Sequence, residues 1–283
     1  MHFESIIFNG ISIIVFFILA RILNQVVMHS SLKDLLIEKD NFAVGIQLSG
    51  YLLGVIMIIT AVLTGPGHGS LMENIVWVAI YGVIGLIYMV FIAEFGVRIF
   101  IKGDILTAIK RGNVAAGIVL AGCYVSTAMI LSGAISGEES SGGSFISSMI
   151  FLLAGLVSLV ICTSLFRLLT AYKDSEEIMK GNTAAALSYA GQMIAVGLII
   201  KASIDGVFID YASSFAEFGL AMLLVLALYP IRQWILQGIL LGGGFSFYGG
   251  RLDKEISEDR NMNVGLVEAL TYILSAILAS SFI

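Results

Sequence analysis

The fold class that this 283-residue sequence predicts is an all-α polytopic membrane protein, with eight transmembrane helices arranged as four repeated hairpins. Three observations lead there. The chain is 58% hydrophobic and only 12% charged, and its mean hydropathy is +0.99. Soluble domains run at roughly 45–50% apolar and about 25% charged, so this chain lacks the polar surface to face water. Its apolar residues gather into eight long stretches, and a short pattern of Asn with small residues returns about every seventy positions. The composition also excludes other classes. Two Pro and abundant aliphatics do not make a disordered or collagenous chain. With 15 basic against 20 acidic residues, the chain carries no electrostatic footprint for nucleic acid.

A spanning helix needs about 20 apolar residues, because a ~30 Å hydrocarbon layer is crossed at 1.5 Å per residue. Eight segments qualify: Ile6–Val27, Phe42–Leu63, Ile75–Ile101, Val114–Ile135, Phe145–Tyr172, Thr183–Ile204, Phe215–Leu241 and Val264–Phe282. The first has no basic residue ahead of its apolar run and no small-residue cleavage site, so it reads as a retained helix rather than a signal peptide. Connections after the odd segments are rich in Lys, Arg, Asp and Glu; those after the even ones are short and hold Gly and Ser. Of all the Lys and Arg, only Lys201 falls on the second side. Positive charge is retained in the cytoplasm, which predicts a multi-pass protein with both termini on the non-cytoplasmic side. Trp77, Tyr81, Tyr211, Trp234 and Tyr248 near segment ends read as interface aromatics.

The repeat is legible at the start of each even segment. Asn41 opens a run containing Gly45 and Gly50, Asn113 one containing Gly117 and Gly122, and Asn182 one containing Ala186 and Gly191; a degenerate fourth copy begins at Asn263. Each Asn reads as a helix N-cap accepting from first-turn N–H groups. The alternative is that the four ring a cytoplasmic vestibule and coordinate something there. The small residues let helices approach closely where no hydrophobic drive operates between them. Each odd segment carries one Arg near its basic end, namely Arg21, Arg98, Arg167 and Arg232, read as snorkelling anchors. All hairpins run in the same direction, which predicts repeats related by an axis along the membrane normal. A ring of four hairpins satisfies this, as do two four-helix units, 1–140 and 141–283, joined near Ser136–Ser144.

The Gly-Asn-x-Ala-Ala opening, with Gly nine residues after the Asn, resembles the YjfL-like bacterial inner-membrane family, a domain of unknown function numbered 350. The chain is similar to two such units in tandem over nearly its whole length. The resemblance is clearest at Asn113–Gly122 and Asn182–Gly191, weaker at Asn41–Gly50, and it fails at the fourth copy, where Tyr272 stands at the Gly position and Glu268 enters the helix. It implies the bacterial inner membrane and, as a partner class, cytoplasmic membrane-remodelling proteins of the phage-shock, envelope-stress kind. The family has no established activity to carry over.

Ionisable groups inside a bilayer are costly and therefore candidates for function. Gln47, Glu94 and Glu268 fall at similar depth, and with Arg98 and the deeper Gln192 they form the candidate polar layer. Glu94 and Arg98 stand at i,i+4 in the favourable order for an ion pair. Glu268 has no opposite charge on its own helix, so it faces another helix's Arg, faces a water-filled cavity, or is protonated. Lys201 and Asp205 read as an outer-interface pair, and Ser126, Thr127 and Ser132 as hydroxyls bonding their own backbone. Cys123 and Cys162, far apart in apolar stretches, read as packing residues. His2, His29 and His68 lack metalloprotease spacing, the glycines at Gly242 lack the Lys-Ser/Thr of a phosphate loop, and no nucleophile elbow is present. The expectation is a non-enzyme without cofactor or metal. It is a channel- or transporter-like module for an ion or small solute, or else a scaffold recruiting cytoplasmic proteins through Lys173–Lys180 and Arg251–Arg260. Its expected partners are the lipid bilayer and further copies of itself.

Overall fold

The computed structural model describes residues 2–65, 71–136, 145–205 and 208–283. His68 and the 136–144 joint's Glu138 and Glu139 lie outside them. Helices α1 (His2–Met28), α2 (Phe42–Thr64), α3 (Leu71–Phe100), α5 (Val114–Ser136), α6 (Phe145–Leu168), α8 (Thr183–Ile204), α9 (Tyr211–Arg232) and α11 (Met262–Ser280) are the long ones. They carry eight candidate membrane spans within a few residues of those read from hydropathy. α9 runs on as a π-helical segment, Gln233–Leu240. That change of winding begins three residues after Pro230, which has no N–H to donate into the preceding turn.

Between each odd and even helix the chain makes one further short element at the basic end. These are the π turn Asp34–Glu38, then α4 (Ile105–Lys110), α7 (Asp174–Met179) and α10 (Arg251–Ser257). Each stops at a residue in the left-handed region: Asp40 (φ 44°), Gly112 (φ 90°), Gly181 (φ 84°) and Arg260 (φ 50°). The next residue is an Asn that caps the following helix. Asn41 accepts from Val44 N–H, Asn113 from Ala116 N–H and Asn182 from Ala185 N–H. In the fourth copy the cap is Asn261, which accepts from the N–H groups of Asn263 and Val264. Asn263, expected to be the cap, is an exposed first-turn residue instead. The preceding turn settles the register, because only Asn261 directly follows the left-handed residue. With that shift Gly265 falls into line with Gly45, Gly117 and Ala186, and Leu270, not Tyr272, takes the place of Gly50, Gly122 and Gly191.

The even helices stand side by side in the order α2, α5, α8, α11, and the odd helices lie across them. α3 packs over α2 and α5, α6 over α5 and α8, and α9 over α8 and α11. This is an open row rather than a ring, and the α5–α8 contact between the two halves resembles those within each half. Small residues make it close. A Cβ added at Gly50 would collide with Ala121, at Gly122 with Ala190, and at Gly191 with Ala269. Reciprocally, one at Gly117 would meet the Ala43 carbonyl and one at Gly265 the Ala184 carbonyl. At each of these three steps one helix offers a small-residue face that the next receives on a small-residue face of its own, trading side-chain volume for backbone contact. α5 and α8, in the middle, are buried over most of their length, while α1, α3, α9 and α11 expose mainly aliphatic side chains.

Candidate functional site

Each of the first three caps does more than start its own helix. Its amide Nδ2 donates to the last carbonyls of the short element in the next repeat. Asn41 bonds the Ile109 and Lys110 oxygens, Asn113 those of Ile178 and Met179, and Asn182 that of Ile256. Two orphan helix ends, one N-terminal and one C-terminal, are satisfied by a single side chain. These contacts give Asn41, Asn113 and Asn182 a structural role, one at each of the three steps of the row; the last cap, Asn261, turns back to Glu255 of its own repeat.

Just inside this layer, the second unit holds a cluster of buried charge. The Arg232 guanidinium donates to Glu268 Oε1 from Nε at 2.7 Å and lies 3.3 Å from Asp253 Oδ1. Arg232 and Glu268 are each 1% exposed and Asp253 is 3% exposed. Asp253 also accepts the Ala171 N–H at 2.8 Å, which ties the α6–α7 turn to the last repeat. Arg167 pairs with Asp174 at 3.0 Å, donates to the Ser188 hydroxyl and stacks over the Tyr189 ring at 4.6 Å. Burial pushes the Asp174 carboxyl up to about 6 although Arg167 holds it down; Glu268 adds to the rise. Burial likewise drives the Tyr172 phenol well above its usual range. Some polar atoms in the cluster have no hydrogen-bond partner, among them Glu268 Oε2, Arg232 Nη1, Arg167 Nε and the Tyr172 hydroxyl. The glycine-rich loop beyond α9 folds against the cluster's outer side. Gln233 donates to the Ser246 carbonyl, Gln237 to that of Gly244, and the Tyr229 hydroxyl to that of Phe247.

The sequence candidates separate into two groups. Glu268 meets an Arg from another helix, Arg232. Gln192, fully buried with an unpartnered amide, lies one turn deeper than Ser188. In the first unit Gln47 is fully buried and its amide makes no hydrogen bond of good geometry. Glu94 accepts from the Tyr124 hydroxyl at 2.8 Å instead of closing an ion pair with Arg98; Arg98 points outward. Arg21 and Arg98 are exposed, but the snorkelling reading fails for Arg167 and Arg232, whose side chains are at most 9% exposed. A carboxylate within reach turns these two inward. The signal that finds it is an Asp about eight residues ahead of each cap: Asp34, Asp104, Asp174 and Asp253. The first opens the π turn and the second caps α4 through Thr107; only the last two meet an Arg.

Lys201 and Asp205 pair at 2.9 Å, and the Ser126 and Ser132 hydroxyls bond carbonyls of their own helix. Cys123 and Cys162 are buried and free. Among the described residues no group of three or more His, Cys, Asp or Glu is placed to hold a metal ion. A cavity of about 440 Å³ opens between α3 and α6, with Phe91, Phe95, Leu153 and Val157 on its walls and Cys123 and Thr127 at its floor. Its lining suits hydrocarbon rather than ions.

Comparison with known proteins bears on the whole chain. It is 27% identical over 246 residues to a UPF0719 transmembrane protein of Aquifex aeolicus (strain VF5), an alignment covering 83% of this chain and 84% of that one. No solved structure matches. The profile of the family described as Domain of Unknown Function (DUF350) matches residues 2–135 and again residues 140–283. A match that takes in both halves, each holding two of the Asn-capped hairpins, makes this integral membrane protein a member of that family, with two units in tandem.

Proposed function

We propose that this chain is a channel- or transporter-like module for an ion or small solute, seated in the bacterial inner membrane with its basic end in the cytoplasm. The observation that supports this reading is the buried charge cluster of the second unit. Three carboxylates and two guanidiniums are buried together at the basic ends of the spans and in the short helices beside them, with several polar atoms unpartnered. Desolvating that many charges costs several kcal/mol per ion even after relaxation, and such residues mark ion and proton pathways in membrane proteins. Protonation of Asp174 near neutral pH would free Arg167, and with it the Ser188 side chain that leads towards Gln192. Repeats of one direction favour an axis along the membrane normal, with the row as the unit that rearranges. Flux of protons, alkali cations and small anions into liposomes tests the reading. Flux of one of these that falls at least tenfold in Glu268→Gln supports it; intact vesicles passing none of them refute it.

The exposed charges of the short helices favour a second reading. Lys173, Glu176, Lys180, Lys254 and Glu258 all stand in solvent at the basic end, a surface on which a cytoplasmic membrane-remodelling protein could dock. Neutralising these residues would then abolish recruitment, while Glu268→Gln would leave it intact.

A further inference from the structure

The two units treat their arginines differently, and the first is left with a carboxylate that no guanidinium meets. Arg21 and Arg98 are exposed, and Glu94 accepts only from the Tyr124 hydroxyl, through Oε1 at 2.8 Å. Its other oxygen, Oε2, is buried without a hydrogen-bond partner.

Polar side chains from two further helices gather at this level. The Tyr51 hydroxyl donates to the Ala20 carbonyl at 2.7 Å, which fixes α2 against α1. The two helices run in opposite directions, so one turn nearer the basic end Asn24 on α1 and Gln47 on α2 stand level with each other. The Tyr51 ring packs edge-on against that of Tyr124, their centroids 5.2 Å apart, and Gln47 lies beside the Tyr124 hydroxyl. Asn24, Gln47, Tyr124 and Glu94 thus follow one another from α1 through α2 and α5 to α3. Gln47 is six residues past its cap, which sets the group about 9 Å inside the basic end at 1.5 Å per residue. Asn24 and Gln47 are 0% exposed, and both polar atoms of each amide are unpartnered. The other repeats do not share the arrangement. Four residues ahead of the other arginines stand Phe17, Thr163 and Leu228, and six after the other caps stand Val119, Ser188 and Val267.

A buried amide without a partner and a buried carboxylate without a counter-charge are both costly. Water satisfies the amides but leaves the carboxylate charge uncompensated. A proton on Glu94 removes the charge but supplies one donor to two amide oxygens. A metal cation meets both needs, because carboxylate and amide oxygens are the donors that hard cations take. One carboxylate balances one positive charge, whereas a divalent ion brings an excess charge into the same low-dielectric place. We propose that the first unit binds one monovalent metal cation, of the sodium or potassium kind, through Glu94 Oε2 and the side-chain oxygens of Gln47 and Asn24. The Tyr124 hydroxyl holds the carboxylate in position.

The test reads binding rather than flux. The full chain in detergent micelles should bind radioactive sodium, or rubidium in potassium's stead, saturably and at one ion per chain, with ionic strength held by choline chloride. Glu94→Gln should lower the bound ion at least tenfold. Gln47→Met should do the same, yet melt above the parent in choline chloride, because an apolar side chain replaces an unpartnered buried amide. Its melting temperature should no longer rise with sodium or potassium chloride, as that of the parent should. Several outcomes would overturn the proposal: no saturable binding of either ion, bound ion unmoved by Gln47→Met, or tighter binding of calcium than of sodium and rubidium. Vesicles without flux would leave this site standing, and loss of binding would leave the transport reading standing, because the two clusters share no residue.

Discussion

Replacing Glu268 by Gln should destabilise the protein by about 3 kcal/mol, since breaking a buried pair costs 3–5 kcal/mol and Asp253 remains to offset the orphaned charge. The magnitude follows from the geometry. At 2.7 Å from Arg232 Nε, the gross attraction in an effective dielectric near 20 is roughly 6 kcal/mol. Asp253, 3.3 Å from the same guanidinium, supplies roughly 5 kcal/mol on the same scale. Arg232→Met should cost more, about 5 kcal/mol, because it strands two buried carboxylates at once. The combined Arg232→Met/Glu268→Gln variant should be more stable than Arg232→Met alone, so the cycle is strongly non-additive. Reversible unfolding in mixed micelles, followed by circular dichroism, reads all four corners. A Glu268→Gln protein within 1 kcal/mol of the parent, or additive singles, would refute the claim that this pair is buried and coupled.

Four further outcomes are expected. Asn113→Ala removes a cap and two bonds to the Ile178 and Met179 carbonyls, so it should cost about 2–4 kcal/mol by the same unfolding assay. Asn261→Ala should cost about 1 kcal/mol and Asn263→Ala under about 0.5 kcal/mol, which checks the register of the fourth repeat. Gly191→Leu should abolish the folded state in a detergent melting assay, because its side chain would enter the Ala269 backbone, whereas Gly96→Ala, with open space around it, should melt like the parent. Stability should fall as pH rises from about 4 to 6. The Asp174 carboxyl, pushed up to about 6 in the fold, holds its proton through a range where the unfolded chain, at about 3.9, has lost it, for a total of about 3 kcal/mol. Asp174→Asn should flatten that slope.

Much of this architecture is legible in the one-dimensional pattern because its causes are local. A stretch of aliphatics must be long enough to cross hydrocarbon, and backbone groups there must bond within the helix; both conditions concern consecutive residues. The repeat is visible for the same reason, since an Asn cap and the small residues behind it act within two helical turns. The fourth register slips by two because Asn261 and Asn263 both resemble caps, and the left-handed turn at Arg260 that selects between them is a backbone feature. The short elements escape hydropathy altogether, being only a turn or two long.

What only the packing decided is which side chains meet across those segments. Arg232 and Glu268 are far apart in sequence and on different helices, and Asp253 reaches Arg232 only after a glycine-rich loop folds back under Gln233 and Gln237. Arg21 and Arg98 have the same local setting as Arg167 and Arg232, yet two point outward and two are sealed inside. The difference is a carboxylate delivered from another element, whose attraction offsets a desolvation cost that no single helix could bear. Likewise, like-directed hairpins admit a ring or a row equally. The row follows from the handing of each Asn amide to the next repeat, a contact between residues about seventy positions apart.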